Sequence, residues 1–315
     1  MSFDRLIAKI IETKNPTVAG LDPKLDYIPV YIKEESYAKY GKNLEGAADA
    51  LLTFNKALID ALCDIVPAIK PQAAYYEMYG FYGVKALYET ISYAKEKGMF
   101  VITDGKRNDI GTTMEAYATA HLGKTDVEGV KFEAFGADAL TVNGYLGTDG
   151  IKPLLKICED SDKGIFVLVK TSNPSSGELQ DREFADGKSV YATMGEMCEN
   201  WGSELVGKYG YSAVGSVVGA TYPAQLGELR KSMPHTFFLV PGYGAQGGGA
   251  KDVAPAFDSN GIGAIINSSR GIMCAYKKEG CDEKDFAAAA RREAICMRVT
   301  SILPFLADNL RQVLK

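Results

Sequence analysis

The segment DGKRND at residues 104–109 brings together charged side chains that could carry out acid–base chemistry. Asp104 and Lys106 lie two residues apart at the end of an apolar run, and on an extended strand such side chains point to the same side. A neighbouring carboxylate keeps an ammonium group protonated, whereas burial favours loss of its proton. The pair could therefore deliver a proton to a carbon that has just lost a substituent. On this fragment alone, a buried structural ion pair is the alternative.

A second pair of motifs could hold an anion. The segment PGYGAQGGG at residues 241–249 contains five glycines, so its backbone amides can approach an anion closely. The segment SSRGI follows the next apolar run and places Arg270 at the start of a short predicted helix. The guanidinium of Arg270 offers a bidentate donor for phosphate, and a helix start favours negative charge. A flexible turn is the alternative for the glycine-rich segment.

The elements that must position these groups are eight apolar runs, each followed by a segment with helical periodicity. The runs begin at Thr17, Ile65, Met99, Ala137, Gly164, Ser212, Thr236 and Gly263. Eight βα units in 315 residues predict an α/β fold, a (β/α)8 TIM barrel that spans residues 1–315 as a single domain. A doubly wound sheet is the alternative, but it needs GxGxxG after its first strand, where this chain reads VAGLDP.

Polar residues stand where most of these runs end, which is where barrel enzymes carry their catalytic groups. They are Asp22, Lys70, Asp104, Lys106, Asn143, Ser172, Gln246 and Arg270. A turn role explains any one of them alone, but the whole ring predicts an active site. The glycine-rich segment and Arg270 follow strands seven and eight, the usual phosphate position in barrels, which favours phosphate binding over a flexible turn. Asp109 stands at the predicted start of the helix IGTTMEAYATAHLG, so a helix N-cap is its alternative role.

Two insertions account for much of the length beyond a minimal barrel. One runs from Pro23 to about Asn43 after strand one, and the other from Asn173 to about Lys188 after strand five. Both follow strands on the face where barrels build active sites, so they are predicted lids. Surface decoration is the alternative.

The composition is that of a globular protein and excludes several classes. Apolar residues make up 46% and charged residues 24%, so the chain can bury a core without metal or disulfides. The net charge of −5 has the wrong sign for binding nucleic-acid backbone. The six cysteines include no CxxC pair, and we expect free thiols and no metal site. An amphipathic N-terminus and the lack of a long apolar run predict a cytoplasmic protein without a membrane span.

Together, these segments resemble the orotidine 5′-phosphate decarboxylase family over nearly the whole chain. The family signature Asp-x-Lys-x-x-Asp-Ile is matched at residues 104–110, and LDP, IKP, TSNP, PGYGAQGG and NSSRGI occur in the family's order. The TSNP and NSSR segments are similar to the longer-chain branch of the family. The resemblance implies decarboxylation of orotidine 5′-monophosphate to uridine 5′-monophosphate and CO2, the last step of UMP synthesis, with no cofactor.

The resemblance also implies that Lys70, Asp104, Lys106 and Asp109 form an alternating charge network around the reacting carbon. Asp104 would lie beside the substrate carboxylate, and Lys106 would protonate C6 as CO2 leaves. Lys70 and Asp22 would hold the ribose hydroxyls. Removal of CO2 leaves a carbanion on a ring carbon that has no ready electron sink, so preorganised positive charge from Lys106 fits this chemistry.

The remaining roles that the resemblance implies concern the pyrimidine, the phosphate and a second subunit. Ser172 matches the residue that contacts the pyrimidine amide, Gln246 links the phosphate loop to the ring, and Arg270 clamps the phosphate. Asp109 would reach in from the partner subunit, accompanied by Thr113, so the active enzyme would be a homodimer with shared active sites. Many family members have glycine immediately before the phosphate-binding arginine, whereas this chain has Ser269 before Arg270. The resemblance therefore does not assign the backbone N–H donors around Arg270.

Two other functions remain as alternatives. Magnesium-dependent sugar-phosphate decarboxylases and aldolases of the same suprafamily carry a similar DxKxxD motif, but they use a carboxylate near the end of strand two. This chain has Lys70 there, which disfavours a cation. A non-catalytic nucleotide-binding barrel would be expected to have lost part of the charge network, whereas all four of its charged positions are present.

Overall fold

Eight parallel strands close into a barrel in the computed structural model, which describes residues 1–243 and 249–301. In chain order the strands are β1 (Thr17–Leu21), β2 (Ala68–Pro71), β3 (Phe100–Arg107), β4 (Thr125–Val127), β5 (Val130–Phe132), β6 (Ala139–Val142), β7 (Gly164–Lys170), β8 (Val214–Val218), β9 (Phe238–Val240) and β10 (Ala264–Ser268). All except β4 and β5 belong to the barrel, which closes where β1 pairs with both β2 and β10. The predicted (β/α)8 barrel is confirmed; a single domain spanning residues 1–315 stays a prediction.

The barrel strands are short and buried because helices cover their outer face and side chains fill the interior. β1, β8 and β10 are buried at every residue. Their sequences therefore read as continuous apolar runs without the alternation of a half-exposed strand. Each of the eight predicted runs overlaps a barrel strand.

Thirteen helices are present in the described part of the chain. They are α1 (Ser2–Thr13), α2 (Val30–Tyr40), α3 (Leu44–Leu62), α4 (Ala74–Glu77), α5 (Gly80–Glu96), α6 (Gly111–His121), α7 (Thr148–Ser161), α8 (Val190–Gly202), α9 (Pro223–Ser232), α10 (Ala250–Val253), α11 (Arg270–Met273), α12 (Ala275–Glu279) and α13 (Phe286–Ser301). Short 3-10 turns lie at Leu25–Tyr27, Pro174–Glu178, Ala254–Ala256 and Glu283–Asp285. None of the helices within residues 1–243 and 249–301 is both long and apolar enough to cross a membrane.

Helix α1 precedes the first strand and contributes to the barrel's internal core. Its Phe3 ring lies 4.8 Å from the ring of Phe166 on β7 and 5.5 Å from that of Phe237. Phe3 is fully buried, together with Leu6 on the same helix. The amphipathic N-terminus is therefore a core helix of this domain.

The two insertions lie where the sequence predicts them, and a third extension was not predicted. After β1, residues 23–43 form the Leu25–Tyr27 turn and α2. After β7, residues 173–188 form the Pro174–Glu178 turn and a bridge between Glu183 and Ser189. The unpredicted extension is the hairpin of β4 and β5, whose two turn residues, Glu128 and Gly129, both adopt positive φ angles. Three exposed residues on each side of this turn are too short a pattern to identify a hairpin from sequence.

Strand β3 is irregular at its end, which corrects the geometry expected for the DGKRND segment. Thr103 pairs with Leu140 and Arg107 pairs with Val142, so β3 contains extra residues between these two pairings. Lys106 has a φ of 46°, in the left-handed region that costs a non-glycine residue about 1–3 kcal/mol. Asp104 and Lys106 therefore come together through a bulge, and the simple alternation of an extended strand is the wrong reason for their proximity.

Candidate active site

Lys70, Asp104 and Lys106 form a row of three alternating charges at the C-terminal mouth of the barrel. One carboxylate oxygen of Asp104 lies 2.5 Å from Lys70 Nζ, and the other lies 2.6 Å from Lys106 Nζ. β2 lies next to β3 with Gln72 opposite Asp104, and the Lys70 side chain reaches the Asp104 carboxylate from two residues earlier on β2. Lys70 and Asp104 are buried, whereas the Lys106 side chain is 46% exposed. Lys106 is thus the most exposed member of the row.

Asp104 and Lys70 stay ionised in spite of their burial. Burial alone would raise the pKa of the Asp104 carboxyl, but the ammonium groups of Lys70 and Lys106 hold that pKa far below its usual range. Burial would likewise lower the pKa of Lys70, but the carboxylates of Asp104 and Asp22 raise it above its usual range. Asp104 therefore remains an anion, and Lys70 a cation, at neutral pH.

Thr141 completes this arrangement and was not identified from the sequence. Its hydroxyl donates to Asp104 Oδ1 over 2.8 Å and accepts from the backbone N–H of Lys106 over 3.0 Å. Thr141 lies on β6, next to β3 in the barrel, and is 1% exposed. The only sequence signal is a hydroxyl inside the apolar run two residues before Asn143, and such a residue is indistinguishable from an ordinary strand threonine. Thr141 orients both Asp104 and the bulge that carries Lys106.

A cavity of about 350 Å³ on one side of the row contains groups suited to a sugar phosphate. Its lining includes Asp22, Tyr27, Lys70, Tyr75, Asp104, Asn267, Ser269 and Arg270. Oδ1 of Asp22 is buried and accepts no hydrogen bond from the described residues. A buried carboxylate oxygen needs a donor, and a ribose hydroxyl is such a donor. Tyr27, Tyr75 and Asn267 were not singled out from the sequence, although Asn267 stands at the end of the eighth predicted strand.

A second cavity, of about 430 Å³, adjoins the first at Lys70 and Asp104. Lys106, Ser172 and Gln180 lie in its wall, and its floor is apolar, with Leu168, Val217 and Leu239. The close approach of β7 and β8 sets the position of Ser172: a Cβ added to Gly219 would lie 2.9 Å from the N, Cα and Cβ atoms of Ser172. An apolar floor beside a hydroxyl and an ammonium is suited to a polar heterocycle.

Asp109 and Thr113 lie apart from the charged row. Of the residues that the structure describes, neither is among those that line the two cavities, and Thr113 is exposed on α6. The alternative role of Asp109 as a helix N-cap is wrong, because α6 begins at Gly111 after the N-cap residue Ile110. Asp109 Oδ1 instead accepts from the backbone N–H of Ile110 over 2.8 Å.

Two further predicted residues have different outcomes. Gln246 lies outside the described residues, as does most of the glycine-rich segment, of which Pro241 and Gly242 line the first cavity. Asn143 does follow a barrel strand, but its Oδ1 accepts from the backbone N–H of Tyr145 over 3.0 Å. Asn143 is therefore a turn residue in this structure.

The order of these charged and polar residues around the barrel matches one protein family. The model of the orotidine 5′-phosphate decarboxylase/HUMPS family matches residues 43–280, which include β2 to β10 with Lys70, Asp104, Lys106 and Arg270. This chain belongs to that family. The sequence resemblance is thereby confirmed, and orotidine 5′-phosphate decarboxylases from individual organisms extend the match to both ends of the barrel.

The similarity covers nearly the full length of these relatives. The orotidine 5′-phosphate decarboxylase of Rhodopirellula baltica is 46% identical over 297 residues, 93% of this chain and 96% of that protein. The Clostridium perfringens SM101 decarboxylase is 44% identical over 299 residues, 95% of this chain and 97% of that protein. The solved structure of Leishmania donovani OMP decarboxylase superposes with a TM-score of 0.70 at 30% identity, covering 95% and 99% of the two chains.

Proposed function

We propose that this protein catalyses the decarboxylation of orotidine 5′-monophosphate to uridine 5′-monophosphate and CO2, without a metal or organic cofactor. The observation that carries the proposal is the Lys70–Asp104–Lys106 row between two adjoining cavities, in a chain that belongs to the orotidine 5′-phosphate decarboxylase family. One cavity suits a ribose phosphate and the other a polar heterocycle. The row therefore lies where the bond between sugar and base would cross from one cavity to the other.

The chemical step needs one proton donor and one fixed anion. The bond between C6 and the carboxylate carbon breaks, CO2 leaves, and the electron pair stays on C6. Lys106 Nζ then transfers a proton to C6 and is reprotonated by solvent. Its ammonium charge stabilises the developing carbanion before the transfer, which is the form of catalysis that preorganised charge provides.

Asp104 contributes by holding a negative charge beside the substrate carboxylate. Because two lysines keep its pKa far below the usual range, Asp104 cannot relieve the repulsion by taking up a proton. Loss of CO2 removes that repulsion, so the arrangement favours the transition state over the bound substrate. Thr141 and Lys70 hold the carboxylate in place.

The groups away from the reacting carbon supply binding energy and orientation. We assign the phosphate to Arg270, the link between the phosphate loop and the ring to Gln246, the ribose hydroxyls to Asp22 and Lys70, and the pyrimidine amide to Ser172. Binding of a non-reacting phosphate can hold the ring against the charged row, and this is how remote contacts raise the rate of a chemical step. The net charge of −5 also fits a small-molecule substrate better than nucleic acid. We further propose that the enzyme is located in the cytoplasm.

The magnesium-dependent alternative conflicts with the charge row. Both carboxylate oxygens of Asp104 are already paired with ammonium groups, and Lys70 occupies the end of β2. A divalent cation in the same place would have to displace or approach two positive charges. The non-catalytic alternative would leave the buried, ionised row without a purpose, and buried ion pairs are seldom retained for stability alone.

The proposed activity is tested by mixing the purified protein with orotidine 5′-monophosphate and following the loss of the orotate absorbance. We expect turnover that is insensitive to EDTA. Turnover of sugar phosphates that EDTA abolishes would instead support the magnesium-dependent alternative. Tight binding of the nucleotide without any turnover would support the non-catalytic barrel.

We also propose that the active form is a homodimer in which Asp109 and Thr113 complete the partner's site. Both residues lie outside the lining of their own subunit's two cavities, and exposed apolar side chains occur in the same part of the chain and on the loop after β6. Ile110 is 51% exposed and Tyr145 is 74% exposed. A Cβ added to Gly150 would lie 3.0 Å from the Asp109 carbonyl oxygen and 3.5 Å from Leu146 Cβ, so the start of α7 packs against the Asp109 backbone. Clustered exposed apolar side chains next to a catalytic carboxylate favour an interface.

The shared site can be tested by mixing two inactive variants, Asp109→Ala and Lys106→Ala. In a hybrid dimer one site receives an intact Lys106 and an intact Asp109, and the other site receives neither. Random exchange of subunits should therefore restore about a quarter of the wild-type activity. Mixtures that stay inactive although subunit exchange is demonstrated by mass spectrometry would contradict the shared site.

A further inference from the structure

Lys170 is a buried cation beside the proposed site that none of the assigned roles uses. It is the last residue of β7, two positions before Ser172, and its side chain is completely buried. Its Nζ lies 4.3 Å from the centre of the Tyr222 ring, so part of the ammonium is covered by an aromatic face. A buried ammonium needs a carboxylate, because removal from water is costly for a charge that has no partner.

The carboxylate that faces Lys170 comes from the insertion after β7. Asp181 Oδ1 lies 2.6 Å from Lys170 Nζ, and the Asp181 side chain is 43% exposed. A second contact to the same insertion runs from Lys170 Nζ to Ser176 Oγ over 3.3 Å. The Ser176 hydroxyl in turn donates to the hydroxyl of Tyr222 over 3.2 Å. The insertion at residues 173–188 is therefore fastened to the end of a barrel strand by its contacts with one lysine.

The same fastening positions a polar wall of the second cavity. Gln180, next to Asp181, makes two hydrogen bonds to Thr171. Its Oε1 accepts from the Thr171 backbone N–H over 2.9 Å, and its Nε2 donates to the Thr171 hydroxyl over 2.8 Å. The Thr171 hydroxyl then donates to Asn173 Oδ1 over 2.6 Å. Thr171, Ser172, Asn173 and Gln180 all line this cavity. Ser172 is held against Gly219, whereas the positions of Asn173 and Gln180 depend on where the insertion is held.

We propose that Lys170 and Asp181 form a latch that holds the insertion closed over the base-binding cavity, so that Lys170 is a positioning residue for recognition of the pyrimidine. This inference rests on the proposed function for the identity of the base. It assigns the insertion after strand five a specific task, namely to keep Asn173 and Gln180 in place beside Ser172. The phosphate end of the site, at Arg270, lines the other cavity and does not depend on this contact.

Breaking the latch from the Asp181 side leaves Lys170 as a buried charge with a neutral partner. Loss of one member of such a pair costs far more than the pair contributes, because the remaining charge is not solvated. The insertion can relieve this cost by moving away and admitting water. The expected consequence is a mobile segment at residues 173–188 and a weakened contact to the base only.

The test compares Asp181→Asn with Asp186→Asn, which is the same change at an exposed position of the same insertion. Hydrogen exchange of residues 173–188 in the ligand-free protein should become faster in Asp181→Asn only. Isothermal titration should show that the Kd of uridine 5′-monophosphate rises about tenfold or more, because small displacements of orienting groups have large effects. The Kd of ribose 5-phosphate, which lacks the base, should stay within about twofold of the wild-type value.

A general loss of stability does not predict this difference between the two ligands. Equal weakening of both ligands, or an unchanged exchange rate together with an unchanged Kd for uridine 5′-monophosphate, would overturn the latch. The double variant Lys170→Met/Asp181→Leu removes both charges. Hydrogen exchange of residues 173–188 should therefore be slower in the double variant than in either single variant. If the wild-type protein binds no uridine 5′-monophosphate, the proposed function fails. Faster exchange in Asp181→Asn then still supports the latch, and unchanged exchange overturns it.

Discussion

Replacing Lys106 by methionine should lower kcat for orotidine 5′-monophosphate by about 10⁴-fold or more while the protein remains folded. The change removes both the proton donor and the positive charge that would stabilise the carbanion at C6. Methionine keeps most of the length of the lysine side chain, so the shape of the cavity is largely retained. Asp104 keeps its contact with Lys70 in this variant, so we expect only a small change in Tm.

The measurement is the rate of loss of orotate absorbance, supported by the Kd of uridine 5′-monophosphate as a check on the integrity of the site. The matched control is Lys188→Met. Lys188 lies on the insertion after β7, is 49% exposed and is paired with Glu196 on α8. The control should retain nearly all of the activity, since an exposed ion pair contributes little. A Lys106→Met variant that turns over at a tenth of the wild-type rate or faster would rule out Lys106 as the essential acid.

The second large effect is expected for Asp104→Asn, which should impair both activity and stability. Lys70 is 4% exposed, and the amide would leave its ammonium charge without an anionic contact at β3. Loss of one partner of a buried ion pair typically costs about 3–5 kcal/mol, so the free energy of unfolding should fall by that amount. The rate should fall by about 10³-fold or more, because the anion beside the substrate carboxylate and the partner of Lys106 are both lost.

Chemical denaturation at neutral pH measures the stability change, and Asp64→Asn is its control. Asp64 forms an exposed bidentate pair with Arg291, with distances of 2.5 and 2.7 Å, so its loss should cost less than about 1 kcal/mol. Equal destabilisation by the two substitutions would contradict the special role of the buried pair. Near-normal turnover by Asp104→Asn would contradict its catalytic role.

The difference in unfolding free energy between the wild-type protein and Asp104→Asn should change with pH in a defined direction. The folded-state pKa of Asp104 lies far below its unfolded value of 3.8, so the ionised carboxylate stabilises the folded protein. This contribution is complete above the unfolded value and disappears as the pH falls toward the folded-state pKa. The stability advantage of the wild-type protein over Asp104→Asn should therefore be constant near neutrality and shrink only below about pH 4.

The elements of this protein are readable from its sequence because they depend on local composition. Each apolar run bounded by glycine, proline or a polar residue overlaps a barrel strand, and burial on both faces explains why those runs are continuous. The ends of the runs identify Asp22, Lys70, Asp104 and Arg270 as residues of the barrel mouth, because the direction of a parallel strand determines which end carries the site.

Contacts between distant segments were not readable in the same way. Thr141 reaches Asp104 only because β6 lies next to β3 once the barrel closes, and nothing near Thr141 in the sequence indicates that pairing. The bulge that turns Lys106 toward Asp104 likewise depends on the unequal pairing of β3 with β6. Asp181 meets Lys170 only after the insertion folds back on its strand, and no single helix or strand spans the segment between the two residues.

The sequence by itself therefore determined the strand order, the fold class and the chemical types of the residues at the barrel mouth. The resemblance already implied that Asp104 lies between Lys70 and Lys106, but only the tertiary structure decided that Asp104 is buried with one oxygen on each lysine, that Thr141 holds it, and that the insertion after β7 is fastened to Lys170. The physical reason is that strands form from local patterns of apolar side chains. Ionic and hydrogen-bonding partners, in contrast, are selected by closure of the barrel, which joins residues that are distant in the chain.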